Sequence, residues 1–240
     1  MSGWTSADAA YCQSCVSNVA LVVREGATAA NAISYALYFK TLDLCGGALT
    51  SSSGAFGMSA GETLAGHGMA AKLTMANGAA ATLDGNLSVT TTLATDGALS
   101  FVRKTGVETN VTAFVSGAFA TTTGNAITVG EGVILDIGIN RPAATLAVDA
   151  AGTLALRLES YEDKPVVNVS ANPAQLIVYR PDGAMDIASG CTVEYNAEAG
   201  TIIVIPPVPV WTNTDGTGSF ESVANWDIWE KSQQTAAPSA

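Results

Sequence analysis

Charge is scarce in this chain. Asp, Glu, Lys and Arg together make up 13% of the 240 residues, about half the usual share. Basic residues are scarcer still: 10 Lys plus Arg against 21 Asp plus Glu leave a formal net charge of −11. No basic cluster exists to neutralise phosphates, which disfavours nucleic-acid binding. An anionic membrane surface would repel the chain for the same reason. No apolar run approaches the roughly 18 residues that a membrane-spanning helix needs. Histidine is all but missing, and His67 is the single one. The opening Met1-Ser-Gly-Trp4 has neither the basic nor the apolar part of a signal peptide.

What remains is small, apolar and β-prone. The hydrophobic fraction is 48%, with 24 Gly, enough for one sizeable core. A surface of Thr, Ser and Asn is expected in place of Lys and Glu, a composition common in secreted β proteins. One phrase recurs: Asn77-Gly-Ala-Ala-Ala-Thr-Leu83, Asp96-Gly-Ala-Leu-Ser-Phe101, Glu131-Gly-Val-Ile-Leu-Asp-Ile137, Ala151-Gly-Thr-Leu-Ala-Leu-Arg-Leu158, Asp182-Gly-Ala-Met-Asp-Ile187 and Ala199-Gly-Thr-Ile-Ile-Val-Ile205. Each is a turn closed by Gly, which tolerates positive φ, followed by an alternating strand. Leu154, Leu156 and Leu158 then share one face, with Thr153, Ala155 and Arg157 on the other. Further strands are expected at Asn18–Arg24, Ile33–Leu44, Gly85–Leu93, Thr109–Val115, Asn125–Val129, Thr145–Val148, Val166–Ser170, Leu176–Tyr179 and Thr192–Tyr195. Over Thr28–Phe39, a helical spacing competes with the alternation of Ile33, Tyr35, Leu37 and Phe39, and the strand is preferred. The fold class is therefore all-β: a parallel β-helix (β-solenoid), with a β-sandwich as the alternative.

Pro interrupts Ile205-Pro-Pro-Val-Pro-Val-Trp211, which suits a stiff linker and not a sheet interior. The expected organisation is a β-helical domain with an N-terminal cap over 1–205, a Pro-rich linker at 206–210, and a Trp-rich segment at 211–240. That last segment is either the start of a further unit or a tail. Trp4-Thr-Ser-Ala-Asp8 is echoed by Trp211-Thr-Asn-Thr-Asp215, as if a long tandem unit began again. On that reading the chain is a piece of a longer exported protein.

These residues carry a resemblance. Leu83-Asp-Gly-Asn-Leu-Ser-Val89, Ile127-Thr-Val-Gly-Glu-Gly-Val-Ile-Leu-Asp-Ile137 and Thr145-Leu-Ala-Val-Asp-Ala-Ala-Gly-Thr-Leu-Ala-Leu156 resemble autotransporter-associated β-strand repeats. The stretch from Trp211 to Asn225-Trp226 resembles the opening phrase that precedes such repeats in large bacterial surface proteins. The resemblance covers about half the chain, mainly Ile33–Leu158 and Trp211–Trp226. It implies a right-handed parallel β-helix, surface display and an adhesive or structural role, and it supplies no catalytic residue.

The constellations that could carry chemistry are few. Cys12 and Cys15 form a C-x-x-C, while Cys45 and Cys191 stand apart. Disulfides, buried free thiols and a metal or redox site remain alternatives, and a bridge at the N-terminus would staple a cap onto the solenoid. Gly57-Met-Ser-Ala-Gly61 matches a nucleophile-elbow pattern around Ser59. His67 follows too closely, with no Asp between, so a small-residue loop is the expected reading. The Asp-Gly turns at Asp84, Asp96, Asp182 and Asp215 offer oxygens to Ca²⁺, but turn formation alone accounts for them. Glu159-Ser-Tyr-Glu-Asp-Lys164 could supply paired carboxylates for sugar hydrolysis, yet a solvated loop fits better. Arg157 and Arg180 are the basic residues such a site would want. Trp211, Trp226 and Trp229 could contact sugar rings or form a small core. No cofactor and no enzymatic activity are expected. The expected function is an extracellular structural or adhesive module that touches a glycan or a cell-surface protein. A self-associating fibre or viral spike subunit is the alternative, and a carbohydrate-active enzyme is third.

Overall fold

The computed structural model describes residues 18–160, 162–181, 185–186, 191–206, 210–211, 216 and 226–227. They contain no helix. The strands are β1 Ala20–Val22, β2 Thr28–Asn31, β3 Leu37–Ser51, β4 Phe56–Met75, β5 Ala79–Thr95, β6 Leu99–Arg103, β7 Val111–Val115, β8 Ala118–Ala120, β9 Ala126–Val129 and β10 Val133–Asp136. They continue as β11 Thr145–Val148, β12 Thr153–Arg157, β13 Val166–Asn168, β14 Leu176–Tyr179, β15 Met185–Asp186, β16 Thr192–Asn196, β17 Thr201–Ile205, β18 Val210–Trp211 and β19 Trp226–Asp227.

From β1 to β14, β13 apart, the ladders run parallel and join strands of successive coils. Leu42 pairs with Leu64, 22 residues on; Leu64 with Ala81, 17 on; Ala81 with Phe101, 20 on. Phe101 then pairs with Val129, 28 on, and Val129 with Val148, 19 on. This is a parallel β-helix, and no sandwich is formed. Parallel neighbours need a connection long enough to return to the same edge, and the coil supplies it.

The core is a set of stacked inward columns. Leu42, Leu64, Ala81, Phe101 and Val129 form one. Leu87, Ala113, Leu135 and Leu154 form another, and both are almost wholly shielded from solvent. The expected alternation over 153–158 holds for the leucines: Leu154, Leu156 and Leu158 are buried. Phe39 and Phe56 stack with ring centroids 6.1 Å apart where the first coils begin.

Two expectations need correction. Gly57–Gly61 is not a loop: it lies in β4, and Ser59 is a half-buried strand residue beside buried Gly57 and Met58. Its Gly, Ala and Ser residues hid a 20-residue strand. Tyr35 does not join Ile33, Leu37 and Phe39 inside. The chain bends between β2 and β3, and Tyr35 is 59% exposed.

The coils are tied at their turns by asparagines. Asn140 Nδ2 donates to the carbonyls of Val115, Gly117 and Ile137 (3.1, 2.8 and 2.9 Å), and its Oδ1 accepts from the Phe119 N–H at 3.1 Å. Asn31 likewise donates to Tyr35 and Ala55 carbonyls and accepts from the Ile33 N–H. Asn77 and Asn86 accept N–H groups of the following coil, from Ala98 and Thr112. Past β14 the pattern changes: β15 pairs antiparallel with β14, and β13, β17 and β16 form a separate antiparallel sheet. That change of direction ends the parallel stacking.

Three substitutions separate the contributions to stability. Leu64→Ala should cost about 2–5 kcal/mol in urea denaturation, by lost transfer and residual cavity. The outward Val102, 42% exposed, should tolerate Ala within about 0.5 kcal/mol. Asn140→Ala leaves several part-buried backbone groups without their partner and should cost about 2–3 kcal/mol.

Candidate functional site

Three features mark the exterior: a polar corner, a shielded polar cluster and a face almost free of charge. The corner is formed where β3, β4 and β5 bend together, with register breaks between Cys45 and Ala48 and between Gly66 and Gly68. A Cβ on Gly68 would lie 2.3 Å from the Gly47 carbonyl oxygen, and its φ is +143°. Only glycine fits there. A Cβ on Gly85 would fall 2.9 Å from His67 Cβ, so its absence lets the imidazole lie across the next coil. His67 Nδ1 is 2.7 Å from Asp84 Oδ1, and Lys104 Nζ is 3.2 Å from Asp84 Oδ2. Arg103 reaches Glu131 at 3.6 Å. One coil before His67, its register partner Cys45 donates its thiol proton to Asp43 Oδ1 at 3.2 Å.

The electrostatics make this corner a ladder. The hydrogen bond from His67 holds the Asp84 carboxyl below its ordinary value, opposed by burial and helped by Lys104. Asp43, as acceptor of the thiol proton, pushes the Cys45 thiol up, and burial adds to this. Thiol, imidazole and carboxylate on three consecutive coils are the residue types of a nucleophile, base and orienting acid. The raised thiol works against that use, because the thiolate is the reactive form. Of the alternatives the sequence left open for the cysteines, Cys45 is a free thiol among the described residues, and its sulfur is a hydrogen-bond donor. Cys191 is half-buried against the core, and Cys12 and Cys15 lie outside the described residues.

The second feature lies on the outward side of β10, β12 and β14. Register stacks Ser88, Phe114, Asp136, Ala155 and Ile177 in one column. Asp136 is 7% exposed and accepts the Gly138 N–H at 2.9 Å. Arg157 lies over the Tyr179 ring, 5.1 Å from its centroid, and donates to the Arg180 carbonyl. Burial raises the Asp136 carboxyl, with the Gly138 hydrogen bond and Arg157 opposing. Burial also raises Tyr179. Arg157, named from sequence, is thus brought near Asp136 and not Glu159, and it meets Arg180 only at that residue's backbone carbonyl. Glu159 is exposed, and within its acidic loop Asp163 anchors Arg141 at 2.9 Å. Asp136 was missed; the signal was a lone charge inside the apolar run Val133-Ile-Leu-Asp-Ile137. Thr153 and Ala155, on the same outward side, are also buried, so this cluster is shielded and is not an open cleft.

The third feature is the outward side of β1, β3, β4, β5, β6, β9 and β11. One column there reads Ala20, Thr41, Thr63, Ala80, Ser100, Thr128 and Ala147, coil after coil. Beside it run Val22, Asp43, Ala65, Thr82 and Val102. Asp43 is the single charge in the two columns. Adjacent coils are about 4.8 Å apart, so hydroxyls and methyls repeat at that spacing along this side.

Among the described residues, no group of three or more His, Cys, Asp or Glu side chains could hold a metal ion. Asp182 and Asp215 lie outside the described residues. Trp211 and Trp226 are direct antiparallel partners across β18 and β19, and Trp229 lies outside the described residues. Comparison with protein-family models, with curated proteins and with solved structures gave no match.

The two carboxylates should respond to pH with opposite signs. A lowered carboxyl adds stability above its unfolded pKa of about 3.9, and the gain is lost as pH falls through the folded value. A raised carboxyl does the reverse: its penalty appears as pH rises from the unfolded toward the folded value. Asp84→Asn should therefore lower the urea midpoint at pH 7, and the effect should shrink as pH falls below the ordinary carboxyl range. The loss should stay under about 1 kcal/mol for so exposed a pair. Asp136→Asn should raise the pH 7 midpoint relative to that near pH 3.

Proposed function

We propose that this chain is an extracellular structural or adhesive β-helical module that works by surface contact. The observation that carries the reading is the in-register outward column Thr41, Thr63, Ala80, Ser100, Thr128 and Ala147 on the solenoid. A hydroxyl-bearing, nearly uncharged face offers hydrogen bonds and methyl contacts without the desolvation cost of charges. Such a face suits sugar hydroxyls or the polar surface of another protein. Its β-helix fits the surface display implied by the resemblance to autotransporter-associated repeats, and the chain's negative charge favours solubility outside a cell. The partner is a glycan or a cell-surface protein.

Side-by-side association of copies through the same face is the second reading, because identical faces are self-complementary. The antiparallel pairing beyond β14 opposes end-to-end growth.

Beads coated with the chain should adhere to cells or to insoluble glycans. Thr63→Glu, Ser100→Glu and Thr128→Glu combined should cut adhesion at least tenfold, with circular dichroism unchanged. His67→Ala, at the corner, should leave adhesion intact. Undiminished adhesion in the triple variant would overturn the contact-face reading. Sedimentation of the native chain and the triple variant separates the two partners: a native oligomer that the variant breaks into monomers favours self-association.

A further inference from the structure

The chain contains three N-x-S/T triplets: Asn86-Leu-Ser88, Asn110-Val-Thr112 and Asn168-Val-Ser170. This pattern is an acceptor signal for N-linked sugar where the Asn amide is reachable. The structure separates the three. Asn168 is half-buried in β13, and its Nδ2, the atom that would react, donates to the Ala143 carbonyl at 3.2 Å. Asn86 is exposed but sits within the long strand β5, with its Oδ1 accepting the Thr112 N–H at 2.9 Å. Asn110 closes the loop between β6 and β7, and among the described residues its carboxamide makes no hydrogen bond.

That loop is an outward excursion of the longest coil, the one in which Phe101 pairs with Val129, 28 residues on. Val107 packs against the core, and Arg103 Nη1 holds the Glu108 and Thr109 carbonyls at 3.1 and 3.4 Å. The loop is thus anchored from within, while every other residue from Lys104 to Asn110 is exposed. Thr112 stands on the outward side of β7, two residues on, where its hydroxyl completes the triplet.

We propose that Asn110 is an acceptor for N-linked glycosylation in the folded molecule, and that Asn86 and Asn168 are withheld by their hydrogen bonds and strands. The donor class is a sugar activated as a phosphate ester of a lipid or nucleotide carrier. Asn110 Nδ2 forms a bond to the anomeric carbon as the bond from that carbon to the carrier phosphate oxygen breaks. The phosphate leaves with the electron pair, and one amide proton passes to a base of the transferase. The setting rests on the extracellular reading above, since this modification accompanies export.

The test uses the full folded chain, a purified oligosaccharyltransferase and a lipid-pyrophosphate-linked oligosaccharide, with a short acceptor peptide as control in the same tube. Peptide mass mapping should find one glycan at Asn110, lost in Thr112→Ala and retained in Thr112→Ser. Asn110 left unmodified while the control peptide is consumed overturns the proposal. Equal modification at all three asparagines does so too, because the fold would then select nothing. The reaction needs no cell. A chain modified in the tube yet retained inside its cells would sink the extracellular reading and leave this one standing.

Discussion

Every coil of this molecule spends its backbone hydrogen bonds on its neighbours. In parallel register each N–H and C=O of a strand is satisfied by the coil before or after it, as with Leu64 between Leu42 and Ala81. The constraint reaches the side chains. A position that faces inward in one coil faces inward in the next, so an inward column must be apolar throughout. A charge admitted anywhere in it would be buried with no partner. The outward columns escape that rule, and they hold the Thr, Ser, Ala and Asp residues.

The polar contacts then sort by what they shield. Asn31 and Asn140 satisfy part-buried carbonyls that the turns expose, and water cannot replace them at no cost. The column of His67, Asp84 and Lys104 is solvated, and its ion pairs contribute little. Asp136 is the costly group: it is buried on an outward face, and Arg157 and one backbone N–H offset only part of its desolvation. Stability in this chain therefore rests on leucines and asparagines, not on the charges that stand out in the sequence.

Much of the fold was legible. The strands Thr145–Val148 and Leu176–Tyr179 appear with the expected bounds, because branched residues, alternation and flanking turns agree there. Phe56–Met75 did not read as a strand, because Gly, Ala and Ser carry no β signal of their own. It is extended because β3 and β5 flank it, which is tertiary context overriding propensity. The sites were less legible for a related reason. The intervals between stacked residues vary from 17 to 28, so no fixed period tells which outward residues meet. His67 and Asp84 meet across one coil step, and Asp136 and Arg157 across another, and neither meeting has a local motif. The sequence left Cys45 open between a bridge and a free thiol, and only the structure shows its thiol donating a hydrogen bond to Asp43 two residues back on the same strand.

The uneven coil lengths carry a last consequence. Between Phe101 and Val129 the coil carries a long corner loop at 104–110 before rejoining the ladder at β7, yet the two residues still stack as neighbours. Loop length at a corner is thus decoupled from the geometry of the rungs. Closing a longer loop costs only about 0.6 kcal/mol for each doubling. The 104–110 corner is a natural port at which descent with modification can graft whole new segments, leaving the load of folding to the unaltered ladder.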